Sequence, residues 1–453
     1  MDLTNRTPLF CLPLNAVTPE GQRECIVIVK LTLDLVPAGA MLQAQGFTHW
    51  LKLSQEQVPI ALQDSYHGEF LNSSMRWESD TAAVKPKCDV VVLGEAHAPG
   101  GKPHRSFQVR LRLGTIQSEP LLDKRLRVTG ARWLQRRSRL GRVLGWVAGV
   151  ATLGLWRRCP WSLTRPQTVT VLPLRYEFSF GGHIRAQASD GWSRRVPGRR
   201  CLPGVDPASL RRAWAESRTD GLLAEAMWEE NFVGCGYAPR WYLKAAGIRR
   251  LPAPQIEDPG HPFTAKAAWR AMAGKGHGRF GPALRAQGMG VTTRNAMPRV
   301  QWAGTWDQDW AASGTCYPPD YSVAFNNYAH PDLQCRHLEG DEVVELTNLC
   351  SMATAGACDR EGNQVLRFQL PGLFPFLLVV HASGHWNQVA AVLDTVILAP
   401  GEGKVTLLQR ARFGEDPEPT LLELRMAMAG EPREVPFLDE DPADEAQEAR
   451  HDR

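Results

Sequence analysis

Phe107-Gln108-Val109-Arg110-Leu111-Arg112-Leu113 carries an apolar side chain at every odd position and a polar or charged one at every even position. In an extended chain successive side chains point to opposite faces, so this alternation predicts a strand with one face on a core and the other in water. Val27 to Leu35 shows the same period of two, which places Lys30, Thr32 and Asp34 on the wet face. Further strands are expected at Asp89 to Leu93, Thr168 to Phe178, Val365 to Leu370, Phe376 to His381, Val389 to Leu398 and Val405 to Phe413, separated by Gly, Pro, Asn or Asp clusters. The fold class that follows is mainly β with some α: antiparallel sheets, long Gly/Pro/Trp-rich loops and a few short helices.

Composition agrees. The chain has 453 residues, 43% apolar and 22% charged, enough for a large core. Glycine (40) and proline (33) together make about 16% of it, above the usual ~12%, which disfavours long helical bundles. Four regions are expected: a β-rich region over 1–182 with a basic and apolar insertion at 133–162, an irregular loop and helix region over 183–300, a second β-rich region over 301–413, and an acidic, disordered tail over 414–453. Helices are expected at Ala208 to Met227 and Phe263 to Ala273, and the irregular middle is a candidate interaction surface.

The net charge of +4 conceals a split. Residues 414–453 hold 13 acids and 4 bases, net −9, which leaves +13 on residues 1–413. Basic charge with no groove-reading motif supports only salt-sensitive, non-specific attraction to nucleic acid, so no specific nucleic-acid role is expected. Residues 124–158 contain ten Lys or Arg and no acid, with an uncharged apolar block from Val143 to Trp156. Fourteen residues fall short of the ~20 a membrane helix needs. Burial within the protein, insertion into a partner's apolar groove and contact with a membrane interface remain open for this block, and membrane contact is the least favoured. Ten cysteines without a CxxC or a regular framework, and no basic n-region followed by an apolar run at the N-terminus, point to a reducing, cytoplasmic setting.

Catalytic and cofactor motifs are hard to find. Gly100-Gly101-Lys102 runs into Pro103 and is no P-loop, and Ser179 lacks the first glycine of a nucleophile elbow. Gly274 to Gly278 is glycine-rich but follows an alanine-rich helix, so it reads as a turn. His381 and His385, or His330, Cys335 and His337, have metal-ligand residue types but no second half-site, and Asp307-Gln308-Asp309 reads as surface or capping groups before a cation site. No cofactor and no metal are expected. Trp302, Trp306 and Trp310 recur every four residues, either on one helical face or in a tight loop, and serve either burial or protein binding.

A series of loop motifs carries a resemblance. In order along the chain these are Leu12-Pro13-Leu14, Val29 to Leu33, Pro59, Asp64, Tyr66, Ser73-Ser74, Lys85 to Val90, Gly94 to Lys102, Pro173 to Tyr176, Phe180 to Gly182, Gln255 to Pro259, Phe280 to Pro282, Ala303 to Asp307 with Trp310, Pro319 to Tyr321, Gly340 to Val343 and Leu393 to Val396. Over about residues 10–412 the chain resembles the uncharacterised-domain family encoded in bacterial type VI secretion clusters beside toxin effectors, PAAR tip proteins and VgrG spikes. It departs from that family at Gly130-Ala131-Arg132-Trp133, in Arg195 to Gly204 and at Gln409-Arg410. The resemblance implies a non-catalytic effector chaperone or adaptor that binds a toxin effector and helps load it onto the VgrG–PAAR spike. Trp133, Trp146, Trp156, Arg136, Arg137, Trp302, Trp306 and Trp310 are the partner-binding candidates. The alternative is an enzyme whose site gathers Asp64, Lys85, Asp89, His97 and Asp307 from distant loops; it requires a concave pocket where several of these meet.

Overall fold

The computed structural model describes residues 2–115, 119–138, 159–187, 222–245, 247–272, 281–416 and 418–428. It is β-rich, with several mostly antiparallel sheets and few short helices. The organising element is the fifteen-residue strand Arg23–Pro37. One of its edges pairs along its length with Lys404–Gly414; the other takes Phe10–Val17 and then His49–Leu53. Val392–Ala399, Cys88–Val92 and Gln334–Cys335 extend this seven-stranded sheet, all antiparallel except the Val392–Ala399/Cys88–Val92 pair.

A five-stranded antiparallel sheet holds the strand that the alternation identified. Ser106–Gly114 lies between Leu122–Thr129 and Val343–Thr347, with Ile256–Glu257 and Val365–Gln369 at the edges. Phe107, Val109, Leu111 and Leu113 are buried while Gln108 and Arg112 are exposed, as the pattern requires. They share one core with Val27, Val29, Leu31 and Leu33 of the long strand. A four-stranded sheet, in the order Asp2–Asn5, Pro419–Met428, Leu373–His381, Trp386–Ala390, adds Leu377, Val379, Leu422 and Leu424 to that core. At about 25 cal/mol per Å² of apolar surface, each such fully buried side chain stabilises by roughly 2 kcal/mol before entropy is counted. A smaller core under the three-stranded sheet Trp161–Leu163, Trp133–Arg136, Arg250–Pro252 collects Phe180, Trp228 and Phe263. Helix Ala265–Ala271 closes it, with the Thr264 hydroxyl accepting from the Ala267 N–H at its start.

Four expectations need correction. Lys30 and Thr32 are not on a wet face; both are fully buried. The even side of Arg23–Pro37 is covered by residues 57–83, and Ile26 and Ile28 pack there with Leu408, Ile60, Trp77 and Ala83. Thr168 to Phe178 is strand only over Val171–Pro173, since Tyr176–Phe178 coils into a 3-10 turn. Of the helix expected at Ala208 to Met227, Leu222–Met227 is a strand paired with His183–Gln187, and 208–221 lie outside the described residues. The acidic tail does not start at Gly414: Pro419–Met428 pairs with Asp2–Asn5 on one side and Leu373–His381 on the other. Its Leu422 and Leu424 are buried, and apolar alternation outweighs the surrounding acids. The rest of the tail, 429–453, is outside the described residues.

Burial of Lys30 has an electrostatic solution. Its ammonium donates to Asp80 Oδ2 at 2.7 Å and to the Pro59 carbonyl at 3.0 Å, and sits 4.3 Å from the Trp77 ring centre. Desolvation pushes the Lys30 pKa down, and the Asp80 carboxylate opposes this. Asp80 also accepts from the Ala61 N–H and the Trp77 indole, so it makes three hydrogen bonds where Lys30 makes two. Removing one member of a buried ion pair typically costs ~3–5 kcal/mol because the other is stranded. Asp80→Ala is therefore expected to lower stability by about that amount, and Lys30→Met by less, because the carboxylate keeps two donors. Urea midpoints of the two variants measure the order, and equal or reversed costs would contradict it.

Candidate functional site

The polar residues weighed for an enzyme are distributed over the second face of the main sheet and beyond it. Lys85 donates to Asp89 at 2.8 Å and to the Thr395 hydroxyl at 2.9 Å, and lies 3.4 Å from the Tyr328 ring centre. Asp89 also accepts from the backbone N–H groups of Tyr328 and Ala329. Asp64 pairs with Arg294 at 3.2 Å and accepts from the Ser79 N–H. His97 is on another strand, 4.0 Å from Glu95, and burial pushes its pKa down. Asp307 caps the helix Gln308–Ser313 through the Trp310 N–H. Only Lys85 and Asp89 make direct contact among the five. A cleft of about 210 Å³ opens above Lys85, lined also by His337, Asp394 and Arg410, and the other four lie outside its lining.

These polar groups work as a fastening. Thr395 donates to Asp394, Asp394 binds Arg410, and Arg410 donates to the carbonyls of Asp80 and Ala82, all within the buried layer. Next to it Glu78 takes Arg299 at 2.9 Å and Arg294 at 3.1 Å. Arg299 in turn donates to the Phe325 carbonyl, with its guanidinium 5.1 Å from the Phe325 ring. Asn326 and Asn327 donate to the carbonyls of Val84 and Lys87. The segment that follows Arg299 is thereby anchored at both ends to the body.

Between those anchors, residues 301–326 form an aromatic lobe. The three tryptophans are not on one helix: Trp302 follows the short helix Met297–Val300, Trp306 is in a turn, and Trp310 is in the helix Gln308–Ser313. Gly304 makes the turn with φ +75°, and a Cβ there would come within 3.1 Å of Pro318 and the Tyr321 Cα. Trp302 is 43% and Trp306 51% exposed. The Trp306 indole donates to the Ala303 carbonyl at 2.6 Å, and its ring meets Trp310 edge-on at 4.5 Å. Tyr317 is 6.4 Å from Trp306 and 4.5 Å from Tyr321, which is 6.4 Å from Phe325. Thr305 donates through both N–H and hydroxyl to Asp320, and these bonds hold the Asp320 carboxyl below its ordinary pKa. Tyr317, Tyr321 and Phe325 were absent from the sequence-based candidates, yet they repeat the four-residue spacing of the tryptophans.

The other partner-binding candidates fall elsewhere. Trp133 is half-buried in the three-stranded sheet, with the Arg250 guanidinium 4.0 Å from its ring centre. Arg136 and Arg137 are exposed, and Arg137 donates to the Cys159 carbonyl. Trp146 and Trp156 lie outside the described residues.

Among the described residues no group of three or more His, Cys, Asp or Glu is placed to hold a metal ion, and no helix is long and apolar enough to cross a membrane. His381 and His385 stack at 6.3 Å across a turn; His337 reaches the Lys85 carbonyl, and Cys335 faces Cys88. His330 is engaged with Lys124. Its Nε2–H donates to the Ala286 carbonyl, which leaves Nδ1 to accept from the Asp332 N–H, with the Lys124 ammonium at 3.4 Å. Burial, and then the Lys124 charge, pushes the His330 pKa down to about 4. Unfolded, the ring takes up a proton near 6.5, so between about 6.5 and 4 the unfolded chain binds a proton that the folded chain refuses. Stability is expected to fall as pH drops through that window, and less steeply in His330→Gln; urea midpoints at pH 7 and pH 5 test this, and identical slopes would contradict it.

No curated protein and no solved structure matches the chain. Residues 20–410 match a bacterial family, and with most of its length so covered the chain belongs to DUF2169, described as uncharacterized protein conserved in bacteria.

Proposed function

We propose that the protein is a non-catalytic effector chaperone or adaptor of bacterial type VI secretion, which binds a toxin effector in the cytoplasm and helps load it onto the VgrG spike and its PAAR tip. The aromatic lobe is the observation that supports this most. Indoles are normally buried, and Trp302 and Trp306 are held about half exposed on a turn fixed by the Asp320–Thr305 clamp and the Glu78–Arg299 anchor. Rigid, exposed Trp and Tyr side chains supply contact area at low entropic cost, which is the character of a binding hot spot. Met297 and Val300 extend the exposed apolar surface beside Trp302. The ordered series of family-like motifs supplies the secretion context.

The tagged protein is expected to co-purify, at moderate and at high salt, with a stoichiometric toxin, PAAR or VgrG product of its neighbouring genes identified by mass spectrometry. Trp302→Ala combined with Trp306→Ala is expected to remove that partner while urea unfolding stays cooperative, at a stability cost of about 1–3 kcal/mol from the lost Trp306–Trp310 contact and indole hydrogen bond. Absence of any such product, or its full retention by the double variant, would count against the reading.

A further inference from the structure

The lobe's charge is as one-sided as its aromaticity. Residues 300–335 contain no Lys or Arg, while Asp307, Asp309 and Asp320 are exposed on the lobe. Asp307 and Asp320 accept only from hydroxyl or backbone N–H donors, and among the described residues no cation pairs with any of the three. Elsewhere the molecule neutralises its carboxylates readily: Asp123 takes both Arg110 and Arg125, and Glu423 takes Arg6 and Arg425. We infer that the lobe receives an arginine-bearing segment of the partner protein. This rests on the adaptor reading and specifies its chemistry. A guanidinium stacks on an indole or phenol face while its edge donates to a carboxylate, a combination that a compact ammonium satisfies less well. Trp306, held by its bond to Ala303 and braced by Trp310, lies next in sequence to Asp307 and three residues from Asp309.

The test uses the full chain and three fluorescein-labelled probes: an alternating Gly-Arg peptide and its Gly-Lys and Gly-Glu counterparts, followed by anisotropy. Gly-Arg is expected to bind most tightly, Gly-Lys more weakly and Gly-Glu not at all. Trp306→Ala and, separately, Asp309→Asn should each weaken Gly-Arg by about fivefold or more, the effect of losing one cation–π contact or one charge partner. Asp309 is exposed and caps nothing, so its variant keeps the fold. Equal binding of Gly-Arg to wild type and both variants, or equal affinity for Gly-Lys and Gly-Arg, overturns the inference. If Trp306→Ala loses the co-purified partner but not Gly-Arg, the adaptor reading stands and the arginine assignment fails. If it loses Gly-Arg but keeps every partner, the arginine chemistry stands and the adaptor reading fails.

A second observation is independent of the lobe. Cys88 and Cys335 are directly opposed in the antiparallel pair of Cys88–Val92 with Gln334–Cys335. Opposed antiparallel residues have Cα atoms about 4.5–5.5 Å apart, inside the ~4.4–6.8 Å window of a disulfide. Cys335 is at the margin of the buried layer and Cys88 fully inside. The geometry points to a reversible disulfide between them, formed by a disulfide oxidant. The Cys335 thiolate attacks one sulfur of oxidised glutathione and expels one glutathione thiolate. Cys88, losing its proton, then attacks Cys335 Sγ and expels the second; two protein thiols are oxidised and one glutathione disulfide is reduced to two thiols. The neighbouring Cys88 thiol holds the Cys335 pKa down, which suits Cys335 as the first nucleophile. After native incubation with oxidised glutathione, alkylation and peptide mapping should recover a Cys88–Cys335 linked peptide, absent from Cys335→Ser and reversed by dithiothreitol. Recovery of both as alkylated thiols, or of a glutathione adduct alone, overturns the assignment.

Discussion

Everything on the second face of the main sheet depends on burying charge in pairs. Four cations, Lys30, Lys85, Arg299 and Arg410, enter a layer almost without water, and each meets a carboxylate there: Asp80, Asp89, Glu78 and Asp394. Isolated charges in such a layer are costly enough to prevent folding, whereas paired ones impose one geometry on their surroundings. Lys30–Asp80 joins the long strand to a loop, Lys85–Asp89 ties a loop to the strand it leads into, Arg410–Asp394 bridges two neighbouring strands, and Arg299–Glu78 joins a short helix to a loop 221 positions away. Residues 57–89 are thereby held against the sheet, and the segment after Arg299 against residues 57–89. A purely apolar layer would bury as much surface without fixing the register of those irregular segments.

The sequence was most legible where a single face decides burial. Phe107 to Leu113 alternates because one side meets the core and the other water, and its burial follows the pattern. The long strand was misread at Lys30 and Thr32 because both its faces are covered, and the covering segment, residues 57–83, has no periodicity of its own. A charge in an alternating strand carries no sign of the distant carboxylate that will accompany it. Leu222–Met227 shows a different limit: Ala- and Leu-rich sequence favours helix locally, and pairing with His183–Gln187 overrides it.

The candidate site was legible in part. The tryptophan spacing marked the lobe, but four-residue spacing also suits a helix, and the choice between them depends on Gly304 and on contacts with Pro318 and Tyr321 that lie far along the chain. Asp307 was identifiable as a cap from its type and position. The Glu78–Arg299 anchor, which bridges 221 positions, had no local signature at all. The position of the aromatic lobe thus depends on buried chemistry that short motifs do not encode.

The strand Pro419–Met428 lies between Asp2–Asn5 and Leu373–His381. Its neighbour Asp2–Asn5 precedes it by more than four hundred residues, and the two meet in a parallel pair. During translation Asp2–Asn5 therefore waits for more than four hundred residues with its hydrogen-bonding edge open. That sheet can close only once Pro419–Met428 has been made, so its completion reports synthesis at least as far as that strand. A ribosome that stalls before Pro419 would release a protein whose largest sheets can form but whose Asp2–Asn5 edge stays unpaired, a species exposed to edge-to-edge association and to proteolysis.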